Sequence, residues 1–517
     1  MSALLPSTGA ALRGPGKTII LGAGAAGLAV AHELSEGGVD LTVIERNAFV
    51  GGLCRTVRYK GYAFDLGGHR WFTKNEDLNQ WLRRLMGDEL VMVDRISRIY
   101  YGGKYFLYPI DIVDLFRQSS PLVMAHAGLA FLWASMVQLL RARPQTNMKD
   151  AYIAQFGSKL YDMFFRRYTE KVWGLPCEQL SSDWVSQRTK GLSILTLLKD
   201  AIGRKQPQFS SLIDNFMYPR DGFVRIPERM TEQVRARGGK VQVSATATHV
   251  IYHGPRDFEL RYRHGAVEHS VRCDTLVSSL PLGRLVQMLS PAPGPAVLAA
   301  ARGLQFRALV TVNLILARER VSTDTWLYVQ DEDVLFGRMH EPKNWSPAMV
   351  PEAGCTSLVL ECFCSRGDAI WNMADADIVK RCVDDLEQRL GLIEAGDLKD
   401  YAIVRTTDAY PVYDLEYQTK LDVIDQFLAG FEGLHILGRS GSFRYNNSDH
   451  SIEMGLLMGR RLLGEDLDPM AVNLDTHYHE MRRADEAQGA NHYVLRPAAA
   501  VLASTSASTT TTTAEAL

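Results

Sequence analysis

Three glycines and one acid define the first chemistry in this chain. Residues 17–27 read KTIILGAGAAG, so Gly22, Gly24 and Gly27 make G-x-G-x-x-G at the end of a short apolar run, and Glu45 closes LTVIE eighteen residues after Gly27. In such a spacing the first glycine permits a tight turn, the second lets backbone approach a pyrophosphate, and the third lets helix and strand pack closely. Gly24, Ala25, Ala26 and Gly27 would open a helix whose N-terminal N–H groups and positive dipole end suit phosphate. Glu45 would accept hydrogen bonds from a ribose 2′-hydroxyl. Strand, helix, second strand and acid together predict a dinucleotide-binding unit. The plain alternative is a glycine-rich turn in another α/β domain.

Two further segments bear on which dinucleotide. Residues 46–56 read RNAFVGGLCRT and residues 62–73 read YAFDLGGHRWFT. A second diglycine soon after the acid, then an aromatic strand ending in DLGGH, resembles FAD-binding chains of the amine oxidase type, in which the first motif holds FAD itself. The glycines at 51, 52, 67 and 68 would let backbone approach the cofactor. The resemblance implies FAD contacts from Arg46, Gly51, Gly52, Leu53, Gly67, Gly68, His69, Val250, Gly438, Arg439, Ser451 and Ile452. A helix starting near Ser451 would aim its N-terminus at the flavin and favour a reduced, anionic form.

Several segments are rich in arginine and aromatic residues: YTEKVWG (168–174), MYPRDGF (217–223), FGRMHEPKNWSP (336–347) with AYPVYD (409–414) downstream, and GRSGSFRYNNSDHS (438–451). Their types and order resemble the UDP-galactopyranose mutases, whose Y-T-E-K-Q-W-G, N-[YW]-S-P and G-R-x-G-x-[YF]-[RK]-Y segments they match. YFLYPIDIVDLF is similar to the same family's N-L-P-F-N segment. The resemblance implies a reduced FAD whose N5 attacks the anomeric carbon of a nucleotide sugar, interconverting pyranose and furanose without net oxidation. It implies catalytic roles for His69, Arg338, Arg439 and Tyr445, with the two arginines clamping a diphosphate through guanidinium forks. It implies substrate contacts from Tyr168 and Trp173 as an aromatic wall on the base, from Tyr218 and Tyr410 as hydroxyl donors, and from Asn447. The chain departs from the mutases at Val172, where they carry glutamine, at Asn447, where bacterial forms carry an acid, and at GGHRWFT, where they favour GPH and an aliphatic. A competing expectation is therefore an FAD-dependent oxidase, dehydrogenase or desaturase acting on a sugar, an amine or a secondary metabolite. A non-catalytic flavin-binding protein is the third.

Composition sets the outer limits. A chain of 517 residues is long enough for two or three domains. A net charge of −2 gives no reason to expect a nucleic-acid partner. Seven scattered cysteines without a C-x-x-C pair argue against a disulfide scaffold or a zinc site and predict a reducing, cytoplasmic location. Cys362 and Cys364 are expected on opposite faces of one strand. No Ser-His-Asp arrangement, metal-ligand spacing or P-loop is found, and no metal is expected. Residues 121–140, PLVMAHAGLAFLWASMVQLL, are read as a buried helix, with peripheral membrane contact and a homodimer left open. Residues 497–517 are expected to form a disordered tail.

The elements that must position these residues form a discontinuous α/β chain. The expected fold is a Rossmann-like FAD domain of the GR2 type, a helical insertion, and an antiparallel-sheet substrate domain. The FAD domain takes 15–107, 238–290 and 432–465, the insertion 108–205, the sheet domain 206–237 and 291–431, and a C-terminal extension 466–517. The ligand cleft should open where the three parts meet.

Overall fold

A computed structural model describes residues 14–108, 112–140, 145–185, 209–212, 215–473 and 481–483. Its centre is a five-stranded parallel sheet in the order Lys240–Gln242, Leu41–Ile44, Thr18–Leu21, Thr275–Ser278, Leu434–Ile436. Strands buried on both faces need no alternation, which is why TIIL and TLVS read as continuous apolar runs with an edge of threonine or serine. The helices Ala25–Glu36 and Ser448–Leu462 pack together on one face, and Arg225–Ala236 joins them. A four-stranded sheet (Val267–Cys273, Asp257–His264, Ala245–Gly254, Leu289–Ser290) covers the other side through Phe258, Leu260 and Val250.

The second layer is a seven-stranded sheet in the order Leu398–Pro411, Phe306–Leu316, Thr356–Cys364, Arg338–His340, Trp326–Val329, Ser97–Tyr101, Lys104–Leu107. All its pairings are antiparallel except Trp326–Val329 with Ser97–Tyr101. One face buries Leu358, Leu360, Cys362 and Cys364 with Ile378 and Cys382 of the helix Asp375–Asp384. The other face carries Ser357, Glu361 and Phe363 together with Thr311 and Asn313, a polar pattern aimed at the FAD layer. Cys362 and Cys364 therefore share a face, against expectation: a strand alternates every residue, so positions two apart point the same way. The Sγ atoms of Cys362 and Cys382 lie 3.9 Å apart as buried thiols.

Two expected boundaries move. Residues 97–107 belong to the seven-stranded sheet, since Ser97–Tyr101 finds its partner in Trp326–Val329. Residues 215–237 belong to the FAD layer: Asn215–Pro219 pairs with Leu90–Asp94, and Phe216, Phe223, Ile226 and Met230 enter the same core as Leu28 and Trp81. The insertion is helical where described, as Ile112–Gln118, Pro121–Leu140, Met148–Tyr161, a π-helical turn at Asp162–Arg166, and Arg167–Trp173. Its last part, 186–205, and the tail 497–517 lie outside the described residues. The helix Pro121–Leu140 is not buried, also against expectation: Ala127, Phe131 and Ala134 pack inward while most of it faces solvent.

Candidate functional site

The glycine loop has the shape and the free N–H groups to hold a dinucleotide. Helix Ala25–Glu36 starts at Gly24 with no capping side chain and no acid in its first turn, so its terminal N–H groups and dipole are left for an anion. A Cβ on Gly24 would meet nothing nearer than the Gly52 Cα at 4.0 Å, whereas on Gly27 it would sit 2.1 Å from the Gly22 carbonyl oxygen. Gly24 thus leaves room and Gly27 closes the helix onto the strand. Gly22 takes φ +98° in the tight turn, and Ala25 and Ala26 follow as buried first-turn residues. Gly51 N–H donates to the Ala23 carbonyl at 2.8 Å, placing Gly51, Gly52 and Leu53 directly behind the loop.

Glu45 is buried at the end of its strand and accepts from Ala23 N–H at 3.0 Å and from the Asn47 backbone and side chain at 2.9 and 2.7 Å. Arg46 beside it is exposed. Val250 sits in the core with its strand paired to Leu260 and Leu289. On the opposite side Gly438 opens the GR segment. Helix Ser448–Leu462 starts three residues before the expected position, because Asn447 caps it reciprocally with His450. Asn447 is thereby committed to the cap, while Ser451 and Ile452 are buried in the first turns.

The DLGGH loop is held by buried polar contacts. Asp65 accepts from Thr56 Oγ1 at 2.5 Å, Phe223 N–H at 3.2 Å and Tyr218 Oη at 2.6 Å. Burial pushes its carboxyl up to about 6, against the pull of those donors. Tyr218 is fully buried with its hydroxyl spent on Asp65, so it is not a donor to a diphosphate, contrary to the sequence expectation. A Cβ on Gly68 would lie 1.4 Å from the Trp326 ring, so the second glycine is dictated by that indole. His69 lies partly exposed, 5.4 Å from Phe223, with Nδ1 3.1 Å from the Gly67 carbonyl. Burial, then Arg439 and Arg338, hold its pKa down at about 4, so it is neutral at pH 7.

A row of side chains crosses the polar face of the large sheet. Register places Tyr328 opposite Arg338, Arg338 opposite Glu361, and Glu361 opposite Thr311. Arg338 NH2 lies 3.2 Å from Glu361 Oε2 and donates to Tyr410 Oη at 2.7 Å. Glu361 Oε1 accepts from Gly68 N–H at 3.2 Å, which ties the arginine to the DLGGH loop. Burial is the largest influence and works against the Arg338 charge, but Glu361 with Tyr168, Tyr410 and Tyr445 together leave its pKa above the ordinary value. Arg439 differs: its guanidinium carbon stands 4.5 Å from both the Tyr410 and Tyr445 rings, and it has no carboxylate partner among the described residues. Its Nε and one terminal nitrogen are buried without hydrogen bonds, as are Arg338 Nε, His340 Nδ1 and Trp326 Nε1. Orphaned polar atoms clustered between the FAD loops and the sheet are what a polar ligand would satisfy.

The aromatic wall divides. Tyr168 packs edge-on against Tyr328 at 5.6 Å and is partly exposed. Trp173 is buried against Trp184 at 5.9 Å and Tyr445 at 5.7 Å, which leaves it bracing Tyr445 rather than stacking on a base. Sequence reasoning passed over Glu361, a lone acid in the apolar run SLVLECFC, and Asp65 in AFDLGGH. It also passed over His340, whose ring contacts both Trp326 at 5.8 Å and Trp345 at 4.8 Å, the two indoles themselves being 5.9 Å apart, and Lys171, whose ammonium holds the Asp331 and Val334 carbonyls at 2.6 and 2.9 Å. Among the described residues, His32, Glu33 and Glu36 on the Ala25–Glu36 helix form a group of potential metal ligands; Glu36 is paired with Arg237 and His32 with Gln233.

A bare helix N-terminus after a parallel strand, an acid on the next strand, a diglycine behind the loop and a second sheet facing them define a flavin-dinucleotide-binding fold. Residues 25–442 match the family model "Flavin containing amine oxidoreductase", and the chain belongs to that family. FAD is its cofactor and it is an FAD-dependent enzyme. Its fold is similar to that of a reduced UDP-galactopyranose mutase, with TM-score 0.74 and 21% identity over 89% of this chain and 96% of that one. It is 24% identical over 258 residues to the "Probable UDP-galactopyranose mutase" of Klebsiella pneumoniae, covering 48% of this chain and 62% of that protein. It is 39% identical over 247 residues to a phytoene desaturase of Fusarium fujikuroi, covering 44% and 42%. The matched stretches span 6% to 62% of these and the other leading curated relatives' lengths.

Proposed function

We propose that the chain is a mutase-like flavoenzyme that takes a nucleotide sugar and interconverts its ring forms. The observation that carries this reading is Arg439: its NH1 donates to the Asn446 carbonyl at 3.4 Å, while Nε and NH2 stay without hydrogen bonds between the Tyr410 and Tyr445 rings, next to Arg338 and the DLGGH loop. An anion there gains charge-assisted hydrogen bonds from nitrogens that otherwise have none. Tyr445 and Tyr168 would orient the nucleotide end, and Trp173 would hold Tyr445 in place. Neutral His69 and the Gly68 backbone would border the reacting centre, with Trp326, His340 and Trp345 excluding water beneath the loop. Gly22, Gly24 to Gly27, Glu45, Gly51, Gly52 and the Gly438 turn would hold FAD. Bound FAD supplies a nucleophilic ring nitrogen when reduced and a hydride acceptor when oxidised.

An oxidoreductase reading is favoured by a different observation. Glu361 pairs with Arg338, so among the described residues Arg439 stands at the cleft without a carboxylate partner and the two arginines are not an equivalent clamp. The likeness to a phytoene desaturase fits an oxidant of an apolar substrate. The seven buried, unpaired thiols support a reducing, cytoplasmic location for either activity.

Titration of the holoenzyme with UDP, wild type against Arg439→Ala, separates the two. Truncating a buried charged contact should weaken UDP by about 2–5 kcal/mol, roughly thirtyfold or more. Equal UDP affinity in the two proteins would remove the anion site and leave the oxidoreductase reading.

A further inference from the structure

The helix Pro121–Leu140 carries an outward stripe that the site does not use. Leu122, Leu129, Trp133, Met136 and Leu140 recur at steps of seven, four, three and four, which puts them on one helical face. All are exposed, Leu122 at 84%, Trp133 at 65% and Leu140 at 72%, and Leu132 borders them. Twenty residues of helix give an apolar edge about 30 Å long. The opposite face is taken by the protein. Ala127, Phe131 and Ala134 are buried, and Gly157, at φ +78°, brings the Met148–Tyr161 helix so close that a Cβ would lie 2.8 Å from Phe131 backbone. The helix is long and apolar enough to cross a membrane, but one side is fastened to the fold, so it can only lie along a surface.

Charge identifies that surface. From residue 115 to 149 the sequence contains no acid, while Arg117 precedes the stripe in sequence and Arg141 and Arg143 follow it; Lys149 beyond them is paired with Glu178. The stripe offers leucine, methionine, one tryptophan and the exposed His126, few polar groups for pairing with a second copy, whose flanking cations would also meet like charges. Lipid demands none. An apolar helical face with flanking cations and an outward indole suits the boundary between headgroups and acyl chains. We propose that the Pro121–Leu140 face docks the enzyme onto an anionic bilayer surface, with the helix lying in the plane of the interface.

The test uses the full-length holoenzyme and vesicles of phosphatidylcholine with or without phosphatidylglycerol, read by co-sedimentation. Binding should occur with phosphatidylglycerol and weaken when it is left out. Leu129→Glu and Trp133→Glu, both at exposed positions, should each reduce the bound fraction roughly tenfold or more, and Arg117→Glu should reduce binding to the anionic vesicles only. Unchanged flavin content and circular dichroism would show that the variants are folded. A protein that stays in the supernatant with both vesicle types overturns the proposal. So does a wild-type dimer in light scattering that Leu129→Glu turns into a monomer, which would give the face to a second copy.

Discussion

Arg338 and Arg439 bring the same charge to the same cleft, yet they are held differently. Arg338 sits 3.2 Å from the fully buried Glu361 carboxylate, and Arg439 has two tyrosine rings and, among the described residues, no acid. Removing one partner of a buried ion pair strands the other charge. Arg338→Ala should therefore lower unfolding free energy by about 3–5 kcal/mol, and adding Glu361→Gln should recover part of that loss in urea titrations. Equal stability of Arg338→Ala and wild type would mean that the Arg338–Glu361 contact is not a buried ion pair on which the fold depends. Asp65 gives a pH signature. Its folded pKa of about 6 lies above the ordinary 3.8, so its contribution is complete below pH 4 and is lost as pH rises through 6. Relative to Asp65→Asn, the wild type should lose about 3 kcal/mol between pH 4 and 7. A flat difference across that range would contradict a buried, proton-holding Asp65. Residue types were legible here and pairings were not. Strand register sets Arg338 against Glu361, and the turn after the Gly438–Gly441 helix brings Arg439 and Tyr445 to Tyr410; no local pattern encodes either, and Glu361 was hidden because an acid in an apolar run has no meaning until its cross-strand partner is known.

At the level of elements, the strand–loop–helix unit is the part most open to reading, since steric need fixes each glycine locally. The two inner glycines should behave oppositely when enlarged. Gly24→Val has space in the apoprotein and should fold without retaining FAD, seen as a colourless protein with native circular dichroism. Gly27→Val drives a side chain into the Gly22 carbonyl and should fail to accumulate as folded protein. A yellow, FAD-loaded Gly24→Val protein would show that the cofactor lies elsewhere. The helix Pro121–Leu140 was harder to read, because apolar residues all round the axis are compatible with a core, a bilayer or a surface. Only the packing of Phe131 on one side and the exposure of Trp133 on the other separate these. Residues 97–107 and 215–237 were misplaced for a related reason: sequence proximity to the FAD motif says nothing about which sheet completes its hydrogen bonds.

Across the whole molecule, a parallel FAD sheet, a seven-stranded sheet and a helical insertion meet around the DLGGH loop, Arg338 and Arg439. The family's fold accommodates both hydride transfer and flavin chemistry without net oxidation, so the choice rests on what the cleft binds. The most direct measurement takes the holoenzyme with its flavin chemically reduced, under anaerobic conditions, mixes it with UDP-hexoses and resolves the nucleotide sugars by chromatography and mass. A second UDP-sugar of unchanged mass is expected, formed only with reduced flavin, with the flavin still reduced at the end, and lost in Arg439→Ala. Nucleotide sugars that emerge unaltered from the reduced enzyme, together with an oxidised flavin that is bleached by an amine or an apolar substrate, would contradict the mutase-like reading.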